Sequence, residues 1–103
     1  MTASGVKRVA IVDDHEMVLD GLEAMLSLND RIEVVGTARN GAQCRSRLMA
    51  WCPNVLVIDD QLPDESGTNL AAFVLSVMPR CGVLIVSGAE RPNLIEDALR
   101  SGC

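Results

Sequence analysis

Aromatic side chains are nearly missing from these 103 residues: Trp51 and Phe73 stand alone, and tyrosine is absent. Two rings cannot form the stacking platform on which nucleic-acid bases are held. Positive charge is also scarce. Nine Lys and Arg, with Lys7 the only lysine, face fourteen Asp and Glu, for a formal net charge of −5. Phosphate contacts need a concentrated basic patch, and these basic residues are scattered, so direct nucleic-acid binding by this chain is not expected. The four cysteines, Cys44, Cys52, Cys81 and Cys103, form no CxxC pair, and the single histidine, His15, is far from all of them in sequence. That disfavours a zinc site and a disulfide framework and points to reduced thiols in a cytoplasmic protein. No apolar run approaches the ~20 residues of a membrane span. The opening MTASGVKRVAIVDD lacks the basic start, apolar stretch and cleavage site of a secretory leader.

What remains is an ordinary globular composition, 49% hydrophobic and 22% charged, at a length that fits one domain. A chain of this size buries about two-thirds of its surface on folding, enough for one core without staples. Short β-branched runs alternate with amphipathic stretches. Val9 to Val12, Ile32 to Val35 (closed by Gly36), Val55 to Ile58 and Val83 to Val86 read as strands. Val18, Leu22, Met25 and Leu26 share one helix face, and Cys44, Leu48, Trp51 and Cys52 share a second, opened by an Asn40 cap with Gln43 as its partner and stopped by Pro53. Leu70, Phe73, Val74, Val77 and Met78 mark a third helix, and Leu94, Ile95, Ala98 and Leu99 a fourth, with Pro92 in its first turn and Gly102 as its C-cap. Met17, Met25, Met49 and Met78 are expected as core filler. Four βα units give a parallel sheet with right-handed crossovers and helices on both faces.

Ligands on such sheets bind outside the carboxyl ends of the strands. Strand one ends in Asp13-Asp14, strand three in Asp59-Asp60 and strand four in Ser87-Gly88. Carboxylates converging on one edge repel unless a cation lies among them, and hard oxygen donors with open positions suit Mg²⁺. Ser87 and the Gly88 N–H could then hold phosphoryl oxygens. His15 reads as a first-turn helix residue near the site, and Asp64 and Glu65 as acids favouring the start of the third helix through its dipole.

The segments VAIVDDHEMVLDGLEAML, NVLVIDDQLPDESG and VLIVSGAE, with the GTARNG turn and the ALRSG ending, resemble the response-regulator receiver domain of two-component signalling. They most resemble the subgroup usually fused to a C-terminal helix-turn-helix DNA-binding domain. The resemblance spans essentially the whole chain. It implies a flavodoxin-like α/β fold, a doubly wound parallel sheet with strand order 2-1-3-4, and one receiver domain over residues 1–103. It implies Asp59 as phosphoacceptor, because Pro63 lies four residues on, and Asp14 as a direct Mg²⁺ ligand. Asp13 would bind the ion through water, and the Gln61 backbone carbonyl would be a further ligand. Ser87 would be the switch hydroxyl, and Gly88, where the family usually has alanine, a backbone donor to the phosphoryl group. Asp60 stands where an aliphatic residue is commoner.

The family has five βα units and this chain shows four. The fifth strand and helix, the family's lysine and its switch aromatic are expected beyond the end, and Lys7 does not replace that lysine. The expected partners are a sensor histidine kinase and a second copy, through the edge of strand four and helix four. No membrane is expected, and DNA would be met only through an output domain outside the chain. The expected role is a phosphoacceptor controlling transcription, not an enzyme; a phosphorylation-independent interaction module that dimerises is the alternative. A phosphohydrolase with an Asp nucleophile would want a second acid where Gln61 stands, and a dinucleotide fold would need a G-x-G-x-x-G turn that is absent.

Overall fold

A computed structural model describes residues 5–87. Within them the chain runs β1 (Lys7–Val12), α1 (Glu16–Leu26), β2 (Ile32–Ala38), α2 (Gly41–Trp51), β3 (Val55–Asp59), α3 (Gly67–Val77) and β4 (Gly82–Val86). The four strands form one parallel sheet in the order β2-β1-β3-β4. This is the flavodoxin-like, doubly wound arrangement expected from the sequence. The expected fourth helix and Gly88 lie outside the described residues. No helix among the described residues is long and apolar enough to cross a membrane.

Strand side chains alternate between faces, and in β1 and β3 both faces are buried. Ala10, Val12, Leu56 and Ile58 pack with Cys44, Leu48 and Trp51 of α2 and Leu70, Ala71 and Val74 of α3. Val9, Ile11, Val55 and Val57 pack with Leu19, Leu22 and Leu26 of α1. Two apolar layers therefore clamp the central pair of strands. The expected helix faces shift slightly: Leu19 replaces Val18 on α1, and Val77 of α3 is exposed. Cys52 lies outside its helix as an exposed C-cap with left-handed backbone, φ 47°. Met17 and Met49 are exposed instead of filling the core, because each occurs on the solvent side of an otherwise amphipathic helix.

β2 does not stop at Gly36. It continues to Ala38 across a register shift, with Val9 opposite Val34 and Ala10 opposite Gly36, so Val35 is the extra residue. Gly36 is a packing position: a Cβ there would overlap the indole of Trp51. The Asn40 cap forms as expected, its Oδ1 accepting from Gln43 N at 2.8 Å. The Gln43 side chain reaches one residue further back than a capping box requires and accepts from Arg39 N.

The loop between β3 and α3 is fastened to α2. Asp64 accepts hydrogen bonds from Gly41 N at 2.8 Å and Ala42 N at 2.9 Å, so its charge lies at the N-terminus of α2 and not of α3, the helix it was expected to serve. The difference is tertiary: the loop crosses the start of α2, and α3 is capped by Ser66 Oγ, which accepts from Asn69 N. Glu65 accepts from Arg45 Nη2 at 2.7 Å, Arg45 Nε at 3.1 Å and Asn69 Nδ2 at 2.7 Å. The Arg45 guanidinium also stacks over Phe73, 4.2 Å from its centroid. The Gly41 and Ala42 amides hold the Asp64 carboxyl below its ordinary value of 3.8. Arg45, and after it Asn69, hold Glu65 below its ordinary 4.5.

Two outcomes follow from this packing. Gly36→Ala should cost about 1–3 kcal/mol by forcing the Trp51 indole aside, read as a lower urea midpoint at unchanged slope. Asp64 and Glu65 bind fewer protons folded than unfolded in the acid range, so their contribution is complete above pH 4.5 and is lost as pH falls through the lowered folded values. The double variant Asp64→Asn/Glu65→Gln should therefore be less stable than the parent at pH 7, and the gap should narrow steadily in urea titrations run at progressively lower pH.

Candidate functional site

The carboxyl edge of the sheet collects the acids. Val12 of β1 stands opposite Ile58 of β3, so the next residues, Asp13 and Asp59, are neighbours. Both continue the alternation that places Val9, Ile11, Val55 and Val57 toward α1, and both are 3% exposed. The outer strands pin the backbone here: Asp13 N donates to Ala38 O, and Asp60 N to Val86 O. Asp13 Oδ1 accepts from His15 N at 2.8 Å, a turn that leads into α1. Gly67 comes so close behind Asp59 that a Cβ there would overlap the Asp59 carbonyl oxygen.

Four side chains meet. Ligand atoms of Asp13, Asp14, His15 and Asp59 all lie within 4.8 Å of one another. His15 Nδ1 is 2.9 Å from Asp13 Oδ1, 3.1 Å from Asp14 Oδ1 and 3.8 Å from Asp59 Oδ2. Asp59 Oδ1 accepts from Gln61 N at 3.3 Å. An open cleft of about 340 Å³ adjoins the cluster, lined by Asp14, His15, Asp59, Asp60, Gln61, Leu62 and Pro63. Ser87 is exposed and directly follows Val86, the β4 residue opposite Asp59. The structure thus brings together Asp13, Asp14 and Asp59, keeps Gln61 beside them and puts Ser87 at the same edge; Gly88 is outside the described residues. His15, expected as a first-turn helix residue near the site, is the N-cap of α1 and its ring lies in the cluster.

Burial raises the Asp59 carboxyl above its ordinary value, and the Asp13 and Asp60 charges push the same way against the Gln61 amide. The hydrogen bond to Asp13, and then the Asp14 charge, raise the His15 imidazole. Asp14 Oδ1 is buried with no hydrogen-bond partner among the described residues. An orphaned acceptor among converging hard oxygens is a fit for a divalent cation, and the donor set is compatible with Mg²⁺. The thiols lie elsewhere: Cys44 and Cys81 are buried and Cys52 is exposed, and burial pushes Cys44 up to about 12.

Because Asp59 binds its proton more tightly folded than unfolded, its ionisation lowers stability as pH rises from its ordinary 3.8 through the raised folded value. Asp59→Asn should accordingly melt higher than the parent at pH 7 in metal-free buffer, and the difference should shrink toward pH 3 in calorimetric scans.

Residues 9–103 match the family described as the response regulator receiver domain. The DNA-binding transcriptional activator DevR/DosR of Mycobacterium tuberculosis is 37% identical over 95 residues, covering 92% of this chain and 44% of that protein. The oxygen regulatory protein NreC of Staphylococcus carnosus is 30% identical over 96 residues, with the same coverage of each. The chain thus spans less than half the length of these relatives. A structure of the signal receiver domain of NarL from Mycobacterium tuberculosis superposes with a TM-score of 0.75 at 33% identity, covering 95% of this chain and 79% of that one. RcsB of Salmonella typhimurium shares the fold, with a TM-score of 0.84 at 21% identity over 94% of this chain and 60% of that one. One expectation is corrected: the match is to a receiver domain and the relatives are regulators, which decides catalysis in neither direction, so the exclusion of enzyme activity does not stand. On the family match and the DevR/DosR identity, this chain belongs to the response regulator receiver domain family.

Proposed function

We propose that this receiver domain accepts a phosphoryl group on Asp59 from a sensor histidine kinase, in the cytoplasm, as the input part of a longer transcription regulator. The observation that carries the reading is the state of Asp59. Its Oδ1 is tied to Gln61 N while Oδ2 faces the carboxylate cluster beside an open cleft. One oxygen is held and the other is presented, which is the preorganisation a nucleophile needs.

In the proposed step an Asp59 oxygen attacks the phosphorus of the kinase phosphohistidine. An O–P bond forms, the N–P bond breaks, and the imidazole leaves with the electron pair and takes up a proton. Asp13, Asp14, Asp59 and the Gln61 carbonyl would hold Mg²⁺. When bound, the ion supplies positive charge between the anionic nucleophile and the phosphoryl oxygens. The Ser87 hydroxyl donates to the phosphoryl group once it is in place, and the family resemblance implies the N–H of Gly88, outside the described residues, as a second donor. Movement of Ser87 onto that group biases the β4 edge between two states.

Intact-mass spectrometry after incubation with a small acyl-phosphate donor and Mg²⁺ tests this. One added phosphoryl group, absent in Asp59→Asn, is the expected result. No added mass would sink the phosphoacceptor reading and leave a phosphorylation-independent interaction module, self-associating through strand four and helix four, in its place.

A further inference from the structure

His15 is the only histidine of the chain, and its ring lies among the carboxylates of the cluster. Three different carboxyl groups face one ring nitrogen, at 2.9, 3.1 and 3.8 Å. A ring nitrogen carries at most one hydrogen. In the structure the pairing goes to Asp13 Oδ1. Asp14 Oδ1, only 3.1 Å away, stays buried without a hydrogen bond among the described residues. No orientation of the imidazole satisfies all three groups, because a hydrogen bond is directional. A metal ion is not so limited: its attraction acts on every donor around it at once.

Two of the three separations fit such an ion. Adjacent ligands on an octahedral cation with bonds of about 2.1 Å stand about 3.0 Å apart, and the 2.9 and 3.1 Å distances from Nδ1 match that edge. The ring is also anchored where the site is made. The backbone N of His15 donates to Asp13 Oδ1 at 2.8 Å, so the turn that shapes the cluster fixes the base of the imidazole. Its side chain is 62% exposed, so when an ion takes the place of the Nδ1 hydrogen, Nε2 can carry the ring hydrogen into solvent and Nδ1 can offer its lone pair.

We propose that His15 is a nitrogen ligand of this cation site, through Nδ1, and that the site consequently favours a transition cation such as Mn²⁺ over Mg²⁺. The inference rests on the reading of the acidic cluster as a cation site and adds to it the identity of a ligand and the class of metal. Mg²⁺ prefers oxygen donors and keeps its waters, whereas Mn²⁺ accepts oxygen and imidazole together.

The test is pulsed electron paramagnetic resonance of Mn²⁺ bound to the full chain, beside calorimetric titrations with Mn²⁺ and Mg²⁺, for the parent and for His15→Gln. The expected result is a hyperfine coupling to a directly bound imidazole nitrogen in the parent, lost in His15→Gln. The variant's preference for Mn²⁺ over Mg²⁺ should fall roughly tenfold. Mn²⁺ bound without nitrogen coupling would overturn the ligand assignment while leaving the cation site standing. Tighter binding of both ions by His15→Gln would also overturn it, and would make the imidazole an occupant that the ion must displace. Failure of the parent to bind either ion would overturn the cation site itself, and with it the metal part of the proposed function.

Discussion

Two carboxylates buried side by side are the constraint on which the rest of this structure depends. Asp13 and Asp59 are each 3% exposed and end the two central strands in adjacent register. Removing two like charges from water and placing them together is unfavourable twice over, through desolvation and through repulsion. The surrounding fold has to impose it. Both faces of β1 and β3 are apolar and packed, one layer against α1 and the other against α2 and α3, so neither strand can slide or turn to bring its terminal acid into water. The outer strands then fix the backbone at the point of strain, β2 through the Asp13 amide and β4 through the Asp60 amide. A slip of one residue in either central strand would turn the acids away from each other and also bury the wrong face.

The loop after Asp59 is constrained in a different way, by polar contacts rather than by burial. Gln61 bridges to Ser66, Asp64 holds the start of α2, and Glu65 grips Arg45 and Asn69. Each contact is individually modest, since exposed charged pairs contribute little in water. Their number over six residues still leaves the loop few conformations, and Gly67 permits its return only because nothing larger fits against the Asp59 carbonyl. The Gln61 amide that orients Asp59 is thereby held through α2, a helix with no residue in the acidic cluster.

Much of this was legible in the sequence, and the boundary is physical. Strand ends and parity follow from period-two alternation between polar turns; that β1 and β3 are neighbours, which places Asp13 beside Asp59, was implied by the family resemblance and not by the alternation. The Asn40 cap was legible because capping is a local bond between residues three apart. What escaped depends on contacts distant in sequence. Asp64 looks like an acid at the start of α3 until the loop is seen to cross α2, 23 residues back. Gly36 looks like a strand end until Trp51 arrives against it. Met17 and Met49 look apolar and turn out to be exposed, because an amphipathic pattern tolerates a flexible apolar side chain on its solvent face. His15 was read as the opening of a helix; its ring turns back because Asp13 supplies an acceptor to both its amide and its imidazole.

The two ends of the sheet make the clearest contrast. At the amino edge, Asn54 ties the strands together: its Oδ1 accepts from Arg8 N, its amide donates to Arg8 O, and its carbonyl accepts from Gly82 N. Arg8 adds its guanidinium to the Trp51 and Cys52 carbonyls that end α2, offsetting the negative end of that helix and the strained cap that follows it. Donors and acceptors there are matched. At the carboxyl edge they are not: three carboxyl groups face one imidazole nitrogen, and Asp14 Oδ1 has no hydrogen bond among the described residues. Buried polar groups in folded proteins are nearly always paired, so a surplus of acceptors on one side has a reason. Among the described residues, the deficit at the carboxyl edge is a property of the side chains placed there, and a cation among them is what would complete it.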